Sequence, residues 1–137
     1  MTAARVATVT AVGAVLAWGA KAVAIGLAGG LDKSPAESPL FFLGLVLYVV
    51  AALAIGVALT AGRSTSTRVL GGAAGLCLGL VLFMIATLAI APFKPADPFW
   101  VWEELNLWIV SVLTAAGWLV LRSRDAPRET PARSANL

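Results

Sequence analysis

The sequence has no histidine, a single cysteine, and charge on only 12% of its 137 residues. Without imidazole, histidine acid–base catalysis, bis-histidine haem ligation and the usual zinc or copper sites are excluded. With one thiol no intramolecular disulfide can form, and Cys77 gives no reading of redox compartment. It lies midway along an apolar run, in Ala74-Gly75-Leu76-Cys77, which is no lipoprotein cleavage box, and it reads as a small packing residue. A phosphate-binding loop is missing too. Gly71-Gly72-Ala73-Ala74-Gly75 opens an apolar helix and has no Lys-Ser/Thr after it.

What the chain does have is apolar length. Residues 6–28, 40–61, 69–91 and 101–121 form four runs of 21 to 23 residues. As helices each would rise roughly 30–35 Å, which matches a hydrocarbon core of about 30 Å. Helices apolar on every side leave no face for water. The sequence therefore predicts an all-α integral membrane protein, with four transmembrane helices arranged as two similar in–out–in hairpins packed into a bundle. Residues 1–121 form that domain, and 122–137, rich in Pro, Ser, Arg and Ala, read as a disordered cytoplasmic tail. Arg5 followed by an apolar run imitates a secretory signal. The run continues through Lys21 to Ala28, beyond an h-region of about 7–15 residues, so it reads as a retained first helix.

Charge orients the expected bundle. With the amino terminus cytoplasmic, the inner side carries Arg5, Arg63, Arg68, Arg122, Arg124, Arg128 and Arg133. The outer side carries Lys33 and Lys94 among Asp32, Glu37, Asp97, Glu103 and Glu104. This positive-inside bias predicts a multi-pass cell-membrane protein with both termini cytoplasmic. Arginines this scattered do not form a nucleic-acid surface. Trp100 and Trp102 at the outer boundary and Trp118 near the inner one read as aromatic belts at headgroup depth.

The two outer loops resemble each other. Lys33-Ser-Pro35-Ala36-Glu37-Ser-Pro39 answers to Lys94-Pro95-Ala96-Asp97-Pro98, and the prolines predict stiff, extended connections before each following span. The helices after them also match, Leu47-Tyr-Val-Val-Ala-Ala-Leu53 against Leu107-Trp-Ile-Val-Ser-Val-Leu113. The pattern predicts a parallel internal repeat. In the third helix, Gly71, Gly75 and Gly79 recur every four residues, a packing seam of glycine-zipper type. Such a seam serves either intrachain packing or a homo-oligomer, and intrachain packing is the simpler reading. Gly13, Ala17, Ala20, Ala24 and Ala28 of the first helix offer it a partner stripe.

Few polar groups lie within the spans. Lys21 is seven residues inside Ala28, about 10 Å below the outer edge. An ammonium facing lipid there would cost about 2–3 kcal/mol, so it faces the bundle or snorkels outward. The first helix climbs as the fourth descends, which brings Glu104 level with Lys21. Trp18 lies three residues below Lys21 and Trp108 four below Glu104, spacings that keep each pair on one face. With Glu103, Asn106 and Ser111 these residues would form an outward-opening cleft for an anionic or amphipathic solute. The alternative is a structural ion pair flanked by packing tryptophans. No activated nucleophile or metal cluster accompanies them, so no catalytic or cofactor residue is expected.

Small multidrug-resistance transporters also have four short helices, but they place a carboxylate in the first helix where this chain has Lys21. No family resemblance is carried over. The expected function is a non-enzymatic multi-pass membrane protein acting as scaffold, assembly factor or accessory subunit, with lipid and a membrane protein or second copy as partners. The alternative is a small transporter or channel using the Lys21/Glu104 cleft.

Overall fold

A computed structural model describes residues 1–96 and 99–125. Asp97, Pro98 and positions 126–137 lie outside the described residues, and with them the end of the second outer loop and most of the expected tail. Within that range the chain is all-helical: α1 (Ala3–Ala28), α2 (Glu37–Leu59), α3 (Thr65–Ile90), a short 3-10 turn (Ala91–Phe93) and α4 (Val101–Asp125). Four of the described helices are long and apolar enough to cross a membrane. At 23 to 26 residues they rise about 35–39 Å, a little more than the hydrocarbon core, which tilt accommodates.

Local chemistry sets the helix ends and moves several expected boundaries. Thr2 caps α1, accepting the Arg5 N–H at 3.4 Å. At the other end Gly29 adopts φ +80°, and Gly29 and Gly30 N–H groups close onto the carbonyls of Gly26 and Ile25. α2 starts at Glu37 rather than 40, so Pro39 stands in its first turn instead of ending an extended loop. A missing N–H is harmless there, because first-turn donors have no helical acceptor. α3 starts at Thr65 rather than 69. The Ser64 hydroxyl accepts the Thr67 N–H at 3.3 Å, which turns most of the polar stretch 63–68 into a capped first turn. α4 continues through Arg122 and Arg124, where the expected tail begins, to Asp125. Cations in a last helical turn complement the helix dipole.

The buried residues of α1 are Ala7, Ala11, Ala14, Ala17, Trp18, Lys21 and Ile25. Apart from Ala17 they alternate steps of four and three, the spacing of a helix seam. This seam faces α2 and α4, with the α1–α2 interface the most extensive in the molecule. Ala14, Trp18, Tyr48, Leu107 and Val110 fill the central core, and Ala7, Ala54 and Trp118 the core at the amino-terminal end of α1. Trp118 is therefore not a headgroup anchor. It is 6% exposed, and its indole N–H donates to Thr8 Oγ1 at 2.9 Å.

The α3 seam packs on α2 alone. Cβ atoms placed on Gly71 and Gly75 would meet Gly56, Thr60 and the Ala52 carbonyl, and one on Gly79 would meet Ala52 and Tyr48. The expected partner stripe at Gly13, Ala17, Ala20, Ala24 and Ala28 is a wrong reading, because α1 and α3 make no interface. The small residues that receive α3 are Ala52 and Gly56, in a helix whose sequence shows no regular glycine period.

Candidate functional site

Lys21 follows the inward seam of α1 and emerges among three other helical turns. Its Nζ lies 2.5 Å from Glu104 Oε1 on α4 and 4.0 Å from Glu37 Oε1 at the start of α2. It also stands 5.3 Å from the centre of the Phe41 ring, within cation–π range. The side chains of Lys21 and Glu104 are 7% and 5% exposed. Two carboxylates and an aromatic face thus surround one ammonium, which answers the penalty of burying it.

Glu37 is the member that the sequence reading leaves in a loop. Its early position in α2 brings Oε1 toward Lys21, while Oε2 accepts the Asp32 N–H at 2.8 Å. Asp32 has φ +60°, a left-handed conformation that aspartate tolerates better than most L-residues. The side chain of Glu37 therefore ties the α1–α2 connection to the buried lysine. The Ser34-Pro35-Ala36-Glu37 spacing of a helix start could have flagged it.

The other expected cleft residues divide between two places. Trp18 is fully buried and turned toward α2. Its Nε1 donates to the Phe41 carbonyl at 3.3 Å, and its ring covers Gly44 so closely that no Cβ could stand there. Trp108 lies against Trp100, edge to face at 6.5 Å between ring centres. Ser111 is buried, and its hydroxyl donates to the Trp108 carbonyl one turn back at 3.1 Å.

Glu103 and Asn106 point elsewhere. Glu103 pairs with Lys94 at 2.8 Å on the surface, and Asn106 donates to Thr87 of α3 at 3.1 Å. Both line a small cavity of about 160 Å³ between α3 and α4, together with Thr87, Lys94 and Trp102. Residues 103 and 104 are about 100° apart around a helix, so only one of them can face α1. The expected single cleft is therefore two separate features: a closed cluster around Lys21 and Glu104, and a small surface cavity beside Glu103 and Asn106. Within the closed cluster, Glu104 Oε2 and Trp108 Nε1 are buried without a hydrogen-bond partner among the described residues.

No metal-holding group of three or more Cys, Asp or Glu side chains occurs among the described residues. No protein-family model, curated protein or solved structure matches the chain.

Proposed function

We propose that this protein is a non-enzymatic multi-pass membrane protein, a scaffold or accessory subunit whose buried charges hold its own helices together. The observation that carries the reading is the closure of the Lys21 cluster. An ammonium that loaded and released a solute needs a path to water, whereas Lys21 and Glu104 are almost wholly covered and engage each other directly. An even number of crossings puts both termini on one side. The arginines of the 63–68 stretch and of the α4 end favour the cytoplasm for that side, in the cell membrane. On this reading each half, α1–α2 and α3–α4, is an in–out–in unit, and the matching outer loops mark an internal repeat.

A second reading, a small transporter or channel, draws on the unpartnered Glu104 Oε2 and Trp108 Nε1. Glu104 and Trp108 lie one turn apart on α4, and an unpartnered acceptor and an unpartnered donor on one helix face suit a transient polar guest. The deciding variant is Lys21→Met with Glu104→Leu, which removes both charges together. For a scaffold, the tagged protein at its native level migrates in a complex larger than its own oligomer, and the double variant enters the same complex. The transporter reading stands instead if the double variant stays folded and assembled but abolishes an ion or solute flux that the wild type supports in proteoliposomes.

A further inference from the structure

We propose that the groove between α3 and α4 binds one anionic phospholipid, with an acyl chain in the groove and the headgroup among the arginines at its end. Asn106 and Thr87 join α3 to α4 near the acidic end of the bundle. Toward the opposite end the two helices enclose an apolar groove of about 490 Å³, floored by Ala52 and Gly56 of α2 and by Thr60, which caps it. Its walls are open to the surroundings: Leu78 of α3 is 72% exposed and Leu113 of α4 is 53% exposed. In a bilayer, such a depression is filled by hydrocarbon. The question is whether the groove selects the molecule that fills it.

Charge placement gives the selection. The lining of α3 runs Gly71, Gly75, Leu78 and Leu82, and Arg68 continues that face three residues before Gly71. The lining of α4 runs Leu113, Gly117, and Arg124 lies on the same face two turns beyond Gly117. Arg63 lies three residues after Thr60, the lining residue that caps α2. Arginines thus stand at the same end of the bundle beside all three elements that border the groove: Arg63 in the turn after α2, Arg68 in the first turn of α3 and Arg124 in the last turn of α4. Arg122 joins them there, while Asp32, Glu37, Glu103 and Glu104 sit at the far end with Lys21, Lys33 and Lys94. An apolar slot leading to a basic collar is complementary to a lipid tail beneath a phosphate. Arg122 is a supporting member, since it donates to Thr8 Oγ1 at 2.8 Å.

The test uses the purified full-length protein in neutral detergent, titrated with phosphatidylglycerol or phosphatidylcholine of equal chain length. Binding is read by native mass spectrometry and by the lipid-induced rise in melting temperature. One phosphatidylglycerol should be retained, at an affinity at least tenfold above phosphatidylcholine. Arg68→Gln with Arg124→Gln should lower phosphatidylglycerol affinity by roughly tenfold to thirtyfold, as two basic groups at a lipid surface would, and leave phosphatidylcholine unchanged. Gly117→Leu should weaken both lipids. A Cβ at Gly117 meets no atom within 4 Å and Gly117 lines the groove, so a side chain can leave the backbone there, and an unchanged lipid-free melting temperature is required of the leucine variant. Equal affinity for the two lipids overturns the proposal, as does phosphatidylglycerol binding indifferent to Gly117→Leu. A dimer that Gly117→Leu dissociates, with no lipid selectivity, would make a second copy the occupant and would also overturn it.

Discussion

Lys21 Nζ and Glu104 Oε1 lie 2.5 Å apart although 83 residues separate them, so one ion pair fastens the first helix of the bundle to the last. Glu37 stands on the other side of the same ammonium at 4.0 Å. The cluster is therefore asymmetric: the lysine has two carboxylates, whereas Glu104 has one lysine.

That asymmetry predicts unequal single variants. Glu104→Gln leaves Lys21 with Glu37, whereas Lys21→Met leaves two carboxylates with no cation between them. Lys21→Met should lower stability by about 3–5 kcal/mol, Glu104→Gln by less, and the double variant by less than the sum. Thermal unfolding in detergent measures all three. Strict additivity, or a Glu104→Gln penalty above that of Lys21→Met, would contradict the cluster as described.

Two glycines in adjoining helices should respond oppositely to one methyl group. A Cβ on Gly56 would stand against the Gly71 carbonyl, at an approach only backbone movement could relieve, whereas Gly117 faces open space. Gly56→Ala should destabilise by about 1–3 kcal/mol or more through overpacking. Gly117→Ala should be neutral or slightly stabilising, since alanine favours the helix by up to about 1 kcal/mol. Similar melting temperatures for the two variants would remove close backbone contact as the basis of α2–α3 packing.

Thr8 Oγ1 accepts from Trp118 Nε1 at 2.9 Å and from Arg122 Nη1 at 2.8 Å while donating to the Ala4 carbonyl. Thr8→Val keeps the shape but strands the Trp118 donor, and should cost about 1–3 kcal/mol. Thr8→Ser keeps the oxygen and should restore most of the loss. If valine is tolerated and serine is not, the methyl group rather than the hydroxyl is what α4 requires.

Sidedness has a direct assay. In a Cys77→Ala background, Ser34→Cys in the α1–α2 connection and Ser66→Cys in the first turn of α3 lie at opposite ends of the bundle. In sealed right-side-out cells, an impermeant thiol reagent should label the first and reach the second only after permeabilisation. The reverse pattern would invert the proposed orientation.

Apolar length makes the four helices legible in the sequence, and a rise of 1.5 Å per residue is enough to bring Lys21 level with Glu104. Depth is a single coordinate, however. It carries no rotation about the helix axis, which is why Glu103 and Asn106 are drawn into a cluster that they face away from. Rotation also explains the mistaken α1 stripe, because small residues recur on more than one face of an alanine-rich helix. Gly44 and Gly56 give no periodic signal. Each is required by one close contact, with the Trp18 ring and with Gly71, and such a requirement becomes visible only when the neighbouring helix is in place.

The order of synthesis gives Lys21 two successive partners. α1 itself carries no carboxylate; Asp32 and then Glu37 are the first to follow, and of these Glu37 is the one that stands beside Lys21 in the folded bundle. Glu104 emerges later, by several seconds at ribosomal speeds of about 5–20 residues per second. During that interval Glu37 is the carboxylate of the folded cluster available to offset the cost of a lysine at this depth. In the folded bundle Glu104 makes the shorter contact, and Glu37 also holds the Asp32 backbone N–H. The last helix to be made is thus the one that completes the electrostatics of the first, so a nascent chain truncated before α4 is left with only its interim partner.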